Sequence, residues 1–158
     1  ERAFDAIKYR RESPAPVLEI HVPTVDDPSL APEGHAVVSV HVYFAPYGRE
    51  GGWDEAAREA LGDRVVARLG EYDPDLPDHV VGREVLTPVD LEARYGLHGG
   101  HLHHGEHGLD QLLVRPTPEC ARYRTPIRGL YLCGSGSHPG GGLTAAPGEL
   151  AARAILAK

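Results

Sequence analysis

The 158-residue chain is long enough for one domain with its own core, and its composition, 41% hydrophobic and 25% charged, is typical of a soluble globular protein. The formal net charge of -7, without a basic stripe, excludes the nucleic-acid-binding classes, because phosphate binding requires clustered lysine and arginine. No run of about 18 apolar residues occurs, so no transmembrane segment is predicted. The two cysteines form no CxxC pair, which favours reduced thiols in a cytosol-like compartment.

Two strands are predicted in the first third of the chain. Residues 17–22 alternate apolar and polar side chains, which is typical of a half-buried strand. Residues 35–47 alternate over a longer stretch and predict a second strand. The segment between them is dense in Pro, Asp and Gly, so we expect a loop there and pairing of the two strands.

Two helices and a third strand are predicted next. Residues 53–72 carry an apolar residue every fourth position, which predicts a helix with one buried stripe. Residues 79–86 predict a strand. Residues 87–96 then have the signature of a capped helix, with Thr87 at the N-cap and Asp90 three residues later. The order β-β-α-β-α indicates an α+β fold.

The last third begins irregularly and ends in a strand, a turn and a helix. Residues 97–128 are rich in Gly, His and Pro and predict a loop with one short element near residues 109–114. Residues 130–133, "LYLC", predict a strand, and a helix is predicted from about Thr144 onward. Pro147 is compatible only with the first turn of that helix.

The turn between that strand and helix contains five glycines, in the sequence "GSGSHPGGG". Glycine lets backbone approach a ligand without a Cβ in the way, and the following helix directs its partial positive end toward an anionic or electron-rich group. No GK[ST] follows, so the turn is not a P-loop, and Pro139 occupies the third glycine position of a GxGxxG. A glycine-rich surface turn without a ligand remains an alternative.

Five histidines fall within ten residues of the loop. They are His98, His101, His103, His104 and His107. Imidazole binds zinc and copper well, but the intervening glycines prevent a shared helix face, so no metal site is predicted and a histidine-loop metalloprotein is kept only as an alternative. A loop that lines a cleft is favoured, in which a histidine hydrogen-bonds or moves a proton near neutral pH.

The sequence resembles the phytoene desaturase-like, phytoene dehydrogenase-related FAD-dependent oxidoreductases in four ordered motifs. The motifs are "DPSLAPEGHAVVSVHVYFAPY", "EVLTPVDLEARYGLHGGHLHHGE", "LDQLLVRP" and "GLYLCGSGSHPGGGLTAAPGELAA". The resemblance extends over about residues 17–158. It implies a two-domain enzyme whose N-terminal segment supplies a Rossmann GxGxxG and whose last strand and helix complete the FAD domain.

The resemblance therefore implies a C-terminal fragment of a larger oxidoreductase, with the N-terminal FAD half missing. Residues 1–128 would be a portion of a substrate domain with a mixed or antiparallel sheet, helices and a His/Gly-rich cleft loop at 97–128. Residues 129–158 would be the terminal βα unit of a Rossmann-like, split FAD-binding domain. Without parallel neighbours, residues 130–133 would expose an apolar edge.

The resemblance also implies which residues meet the cofactor. The turn would lie near the pyrophosphate and ribityl, and the helix start near the flavin ring. The implied cofactor-binding residues are Gly134, Ser135, Gly136, Ser137, His138, Gly140, Gly141, Gly142, Leu143, Thr144, Ala145 and Ala146. His101 and His104 are the weak candidates for substrate positioning or proton transfer, and no catalytic residue is otherwise implied.

As a function, the resemblance implies dehydrogenation or desaturation of a small, apolar substrate by hydride or two-electron transfer to FAD. The fragment alone is expected to be inactive and not to retain FAD. We expect a cytoplasmic protein, with peripheral membrane contact and a homo-oligomer through the exposed C-terminal unit left open. The alternative from another class is a non-enzymatic α+β binding module.

Overall fold

The computed structural model describes residues 2–105 and 108–157. Helices occupy Arg2–Asp5 (α1), Glu55–Gly70 (α2), Pro88–Tyr95 (α3) and Ala146–Leu156 (α4), and strands occupy Val17–His21 (β1) and Ser39–Tyr43 (β2). Single-turn 3-10 helices occur in the loops between these elements. The chain divides into two compact units, Glu1–Tyr95 and Gly96–Lys158, and each is described by itself. The domain boundary predicted at residues 128/129 stays a prediction.

The first unit contains the only described sheet, which has two strands. β1 and β2 are antiparallel with Leu18 opposite Val42 and Ile20 opposite Val40, so the predicted pairing is confirmed. Glu19 lies opposite His41 on the other face, as the alternation predicted. β2 is shorter than the predicted 35–47, because residues 35–38 have no partner on β1, which ends at His21.

The helix predicted over residues 53–72 is confirmed as α2. The Asp54 carboxylate caps it by accepting a hydrogen bond from the Ala57 amide at 2.8 Å. Ala57, Leu61 and Leu69 of the predicted stripe are buried. Because these side chains return every fourth residue, they lie along one face and supply half of the six buried hydrophobic residues of the described chain.

The capping motif predicted at residues 87–90 is also confirmed and begins α3. The Asp90 carboxylate accepts the Thr87 amide at 2.8 Å and the Thr87 hydroxyl at 2.6 Å, while the Asp90 amide donates to Thr87 Oγ1 at 3.4 Å. Arg58 of α2 donates to the same carboxylate at 2.8 Å. This ion pair connects α3 to α2, and Thr87 beside it is fully buried.

The strand predicted at residues 79–86 is wrong. Residues Leu76–His79 form a 3-10 turn, and the chain after it is irregular. No described strand lies beside it to accept backbone hydrogen bonds. Instead Arg83 reaches Glu59 and Asp63 of α2, and Val85 lies close to Gly62. Residues 80–86 therefore contact α2 through ion pairs and side-chain packing instead of pairing with a strand.

The second unit is built mainly from loops around α4. As predicted, the described part of residues 97–128 has no α-helix or strand, and Leu109–Gln111 forms one of its short 3-10 elements. Residues 130–133 do not form the predicted strand. Tyr131 makes one antiparallel bridge to Arg124, and no described residue supplies a parallel neighbour. The α+β class with a Rossmann-like terminal unit therefore stays a prediction for the complete protein.

Candidate functional site

The glycine-rich segment 134–142 is two consecutive reverse turns followed by α4. The Ser137 amide donates to the Gly134 carbonyl at 2.9 Å, and the Gly140 amide donates to the Ser137 carbonyl at 2.8 Å. Gly140 and Gly142 have φ values of 106° and 133°, which only glycine adopts readily. These two glycines are thus required by the path of the backbone itself.

The other three glycines of the turn are not explained by backbone conformation or by packing within the chain. Gly134, Gly136 and Gly141 do not have a positive φ. A Cβ would meet nothing within 4 Å at Gly134 or Gly136, and at Gly141 its nearest neighbour would be Ser135 at 3.7 Å, an ordinary contact. A group outside the described chain that approaches the backbone closely would account for glycine at these positions.

α4 begins later than predicted, at Ala146 rather than near Thr144. Leu143 and Ala145 have φ values of 55° and 56°, so the residues before Ala146 are not helical. Left-handed conformations of non-glycine residues are costly and concentrate at ligand sites. Leu143 is also completely exposed, at 108% of its reference area. The helix therefore presents an exposed, strained N-terminus, with Pro147 in the first turn as predicted.

The predicted cofactor-binding residues divide by exposure. Exposed members are Gly134, Gly141, Gly142, Leu143, Thr144 and Ala145. Half-buried members are Ser135, Gly136, His138 and Ala146, and the buried ones are Ser137 and Gly140. These residues form one continuous segment from the turn to the start of α4. Its exposed residues are called the outer side and its half-buried and buried residues the inner side. Their role as cofactor contacts stays a prediction.

Two buried side chains support the inner side of the turn. Arg115 is 3% exposed, and its Nε donates to the Gly136 carbonyl at 3.3 Å. Tyr123 is 9% exposed, and its hydroxyl donates to the His138 carbonyl at 3.0 Å. Neither residue was singled out from the sequence. A buried arginine between an apolar run and a proline gives no local signal of its partner 21 residues later.

The two weak catalytic candidates have different surroundings. His101 Nδ1 accepts the His103 amide at 3.1 Å and the Gly105 amide at 3.4 Å, so this nitrogen organises its own loop. His104 lines an open cavity of about 350 Å³ together with Asp110, Gln111, Arg115 and Gly136, among others. Only His104 of the two lies on the cavity that reaches the glycine turn.

The remaining histidines do not change this picture. His107 lies outside the described residues, and so does Glu106. Among residues 2–105 and 108–157, no three His, Cys, Asp or Glu side chains are grouped so that they could hold a metal ion.

Within residues 2–105 and 108–157, no helix has both the length and the apolar character needed to cross a bilayer.

This chain is similar over most of its length to several known proteins. It is 44% identical over 158 residues to the rat pyridine nucleotide-disulfide oxidoreductase domain-containing protein 2, a match that covers 98% of this chain and 27% of that relative. One of the limonene dehydrogenase subunits of Castellaniella defragrans is 36% identical over 138 residues, 82% of this chain and 25% of the relative. A lycopene-forming phytoene desaturase of Paracoccus is 34% identical over 144 residues, 87% of this chain and 27% of the relative.

The chain is homologous to oxidoreductases that include phytoene desaturases and a limonene dehydrogenase subunit. The resemblance stated from the sequence motifs is therefore confirmed. The chain spans about a quarter of the length of these three relatives. No family model matches it, and no solved structure does.

Proposed function

We propose that the complete protein to which this chain belongs is an FAD-dependent oxidoreductase of the phytoene dehydrogenase type. The observation that carries the proposal is homology over more than four-fifths of the chain to a limonene dehydrogenase and to a phytoene desaturase. Residues 129–158 would be the strand-turn-helix that completes the FAD domain, with residues 130–133 paired to strands outside this chain. Residues 1–128 would belong to the substrate domain.

The residues of the turn suit a dinucleotide cofactor. Gly134, Gly136 and Gly141 leave the backbone free of Cβ atoms, and nothing in the chain's own packing requires glycine there. The N-terminus of the 11-residue α4 adds a partial positive charge, which would stabilise negative charge on a phosphate or a reduced ring. The chemistry supplied by bound FAD is removal of a hydride or an electron pair from the substrate.

The substrate is proposed to be small and apolar. The names of two relatives refer to limonene and to phytoene, which are hydrocarbons. Large apolar side chains of the second unit are exposed, including Leu109 at 90% and Leu113 at 83%, and we propose that they contribute to an apolar lining in the complete protein. His104 on the cavity wall would position the substrate or move a proton, and it has no assigned part in the redox step.

Location and assembly complete the proposal. We propose a cytoplasmic protein that is at most peripheral to a membrane, as the isolated reduced thiols favour. A homo-oligomer through the exposed C-terminal unit is the assembly to test first, because Leu156 presents apolar surface there.

The test is to purify the complete protein without added cofactor and to record its visible absorption spectrum. We expect the spectrum of oxidised flavin in stoichiometric amount, identified as FAD after denaturation, and bleaching when an oxidisable apolar isoprenoid is added without oxygen. A colourless protein that does not take up added FAD would refute the proposal and favour a non-enzymatic binding module.

A further inference from the structure

We propose that Arg115 and Tyr123, which lie outside the glycine-rich motif, are positioning residues that hold the turn 134–142 in the conformation that accepts the cofactor. The inference rests on the proposed FAD site and deepens it. Its basis is that both side chains are buried in the same unit as the turn and donate hydrogen bonds to two of its carbonyls.

The turn needs such support because its sequence gives it little rigidity. Glycine loses more conformational freedom on folding than any other residue, and five occur within nine positions. Two turn hydrogen bonds, at 2.9 and 2.8 Å, fix residues 134–140 locally, and both are between backbone groups of the turn itself. The contacts to Arg115 and Tyr123 connect the turn to residues 21 and 15 positions earlier in the chain.

The direction of the two carbonyls also matters for an anionic ligand. Gly136 O and His138 O carry partial negative charge, and both oxygens accept hydrogen bonds from buried donors. A phosphate on the outer side would be repelled by a carbonyl that faced it. Arg115 is a charged donor, which strengthens its hydrogen bond to Gly136 O relative to a neutral one.

The burial of Arg115 makes its role specific to arginine. A guanidinium presents five donors in a rigid fork, and one of them, Nε, donates to Gly136 O. Lysine keeps the charge but replaces the fork by a single flexible ammonium. The structure therefore predicts that Arg115→Lys recovers part of the cofactor affinity that Arg115→Gln loses.

The experiment uses the complete protein, with FAD removed and then titrated back. For Tyr123→Phe, which deletes one oxygen atom, we expect about 5-fold weaker FAD binding, as for loss of one neutral hydrogen bond. For Arg115→Gln we expect about 10-fold or more, since the donor is charged, with a shifted spectrum of the bound flavin. The control for Arg115→Gln is Arg128→Gln, because Arg128 is exposed. The control for Tyr123→Phe is Tyr131→Phe, because the Tyr131 hydroxyl contacts Arg124 and not the turn.

A second readout needs no cofactor and distinguishes the two proposals. In the apoprotein, Tyr123→Phe should accelerate hydrogen exchange at the Ser137 and Gly140 amides relative to Tyr131→Phe, while the melting temperature matches that control. If the unaltered protein binds no FAD, the proposed function fails, and the exchange rates still decide whether the turn is held. Wild-type exchange in Tyr123→Phe, or wild-type FAD affinity in both variants, overturns the inference. Tyr123→Phe keeps the test valid if Arg115→Gln does not fold.

Discussion

Replacing Asp90 with asparagine removes the charge that connects α3 to α2 and leaves the shape of the side chain almost unchanged. The Asp90 carboxylate accepts hydrogen bonds from Arg58, from the Thr87 amide and from the Thr87 hydroxyl, and its side chain is only 26% exposed. The Arg58 guanidinium and the Thr87 donors lower the pKa of Asp90 from 3.8 to about 2. At about 1.36 kcal/mol for each pH unit, this preference for the charged form corresponds to about 2 kcal/mol of folding free energy.

We therefore expect Asp90→Asn to lower the free energy of unfolding of the 158-residue chain by about 2 kcal/mol at neutral pH. The assay is urea unfolding monitored by the fluorescence of Trp53, the single tryptophan, which lies in the same unit. The control is Glu84→Gln, whose carboxylate pairs with Arg94 at 2.8 Å on the exposed surface and should cost less than about 1 kcal/mol. If Asp90→Asn costs no more than this control, the reasoning about the network is refuted.

The same group gives a pH dependence of defined sign. Because the folded-state pKa of Asp90 lies below its unfolded value of 3.8, the stabilisation is complete above about pH 5 and is lost as the pH falls toward 2. The slope of unfolding free energy against pH in this window should be smaller in Asp90→Asn than in the unaltered chain. Equal slopes would contradict the assignment of the shift to Asp90.

Three further predictions concern a cap, a pKa and a backbone angle. Asp54→Ala should lower the unfolding free energy by about 1 kcal/mol in urea, because the Ala57 amide loses its acceptor; an unchanged midpoint would contradict this. The hydrogen bond from Tyr43 is the main cause that lowers the pKa of Glu19, so Tyr43→Phe should raise it in an NMR titration, and an unmoved pKa would contradict the geometry. Gly142→Ala should cost about 1–2 kcal/mol in thermal unfolding, since φ is 133°, and a neutral effect would show that the turn differs from this description.

Local sequence signals predicted the elements whose hydrogen bonds are local. The cap at Thr87 and the stripe of α2 were predictable because each depends on residues three or four positions apart. The strand predicted at 79–86 failed because a strand requires a partner that its own pattern does not specify. Residues 130–133 do not form the predicted strand because no described residue supplies a parallel neighbour.

The sequence predicted the turn and helix of the candidate site but not the side chains that hydrogen-bond to the turn. The glycine turn and the helix after it were evident from composition and order, and their role at a cofactor stays a prediction. The separation of the glycines into those required by φ and those open to a ligand needed coordinates. The contacts of Arg115 and Tyr123 with the turn also needed them, because hydrogen bonds to backbone carbonyls leave no residue pattern.

The measurement that tests the central claim most directly is the FAD affinity of Gly141→Ala in the complete protein. The chain itself has room for this methyl group, so the apoprotein should melt like the unaltered protein and like Gly48→Ala, a glycine with open space outside the turn. If the cofactor lies against the backbone here, the methyl group should weaken FAD binding about 5- to 100-fold, the range for one overpacked methyl group. Unaltered FAD affinity in Gly141→Ala would contradict the account.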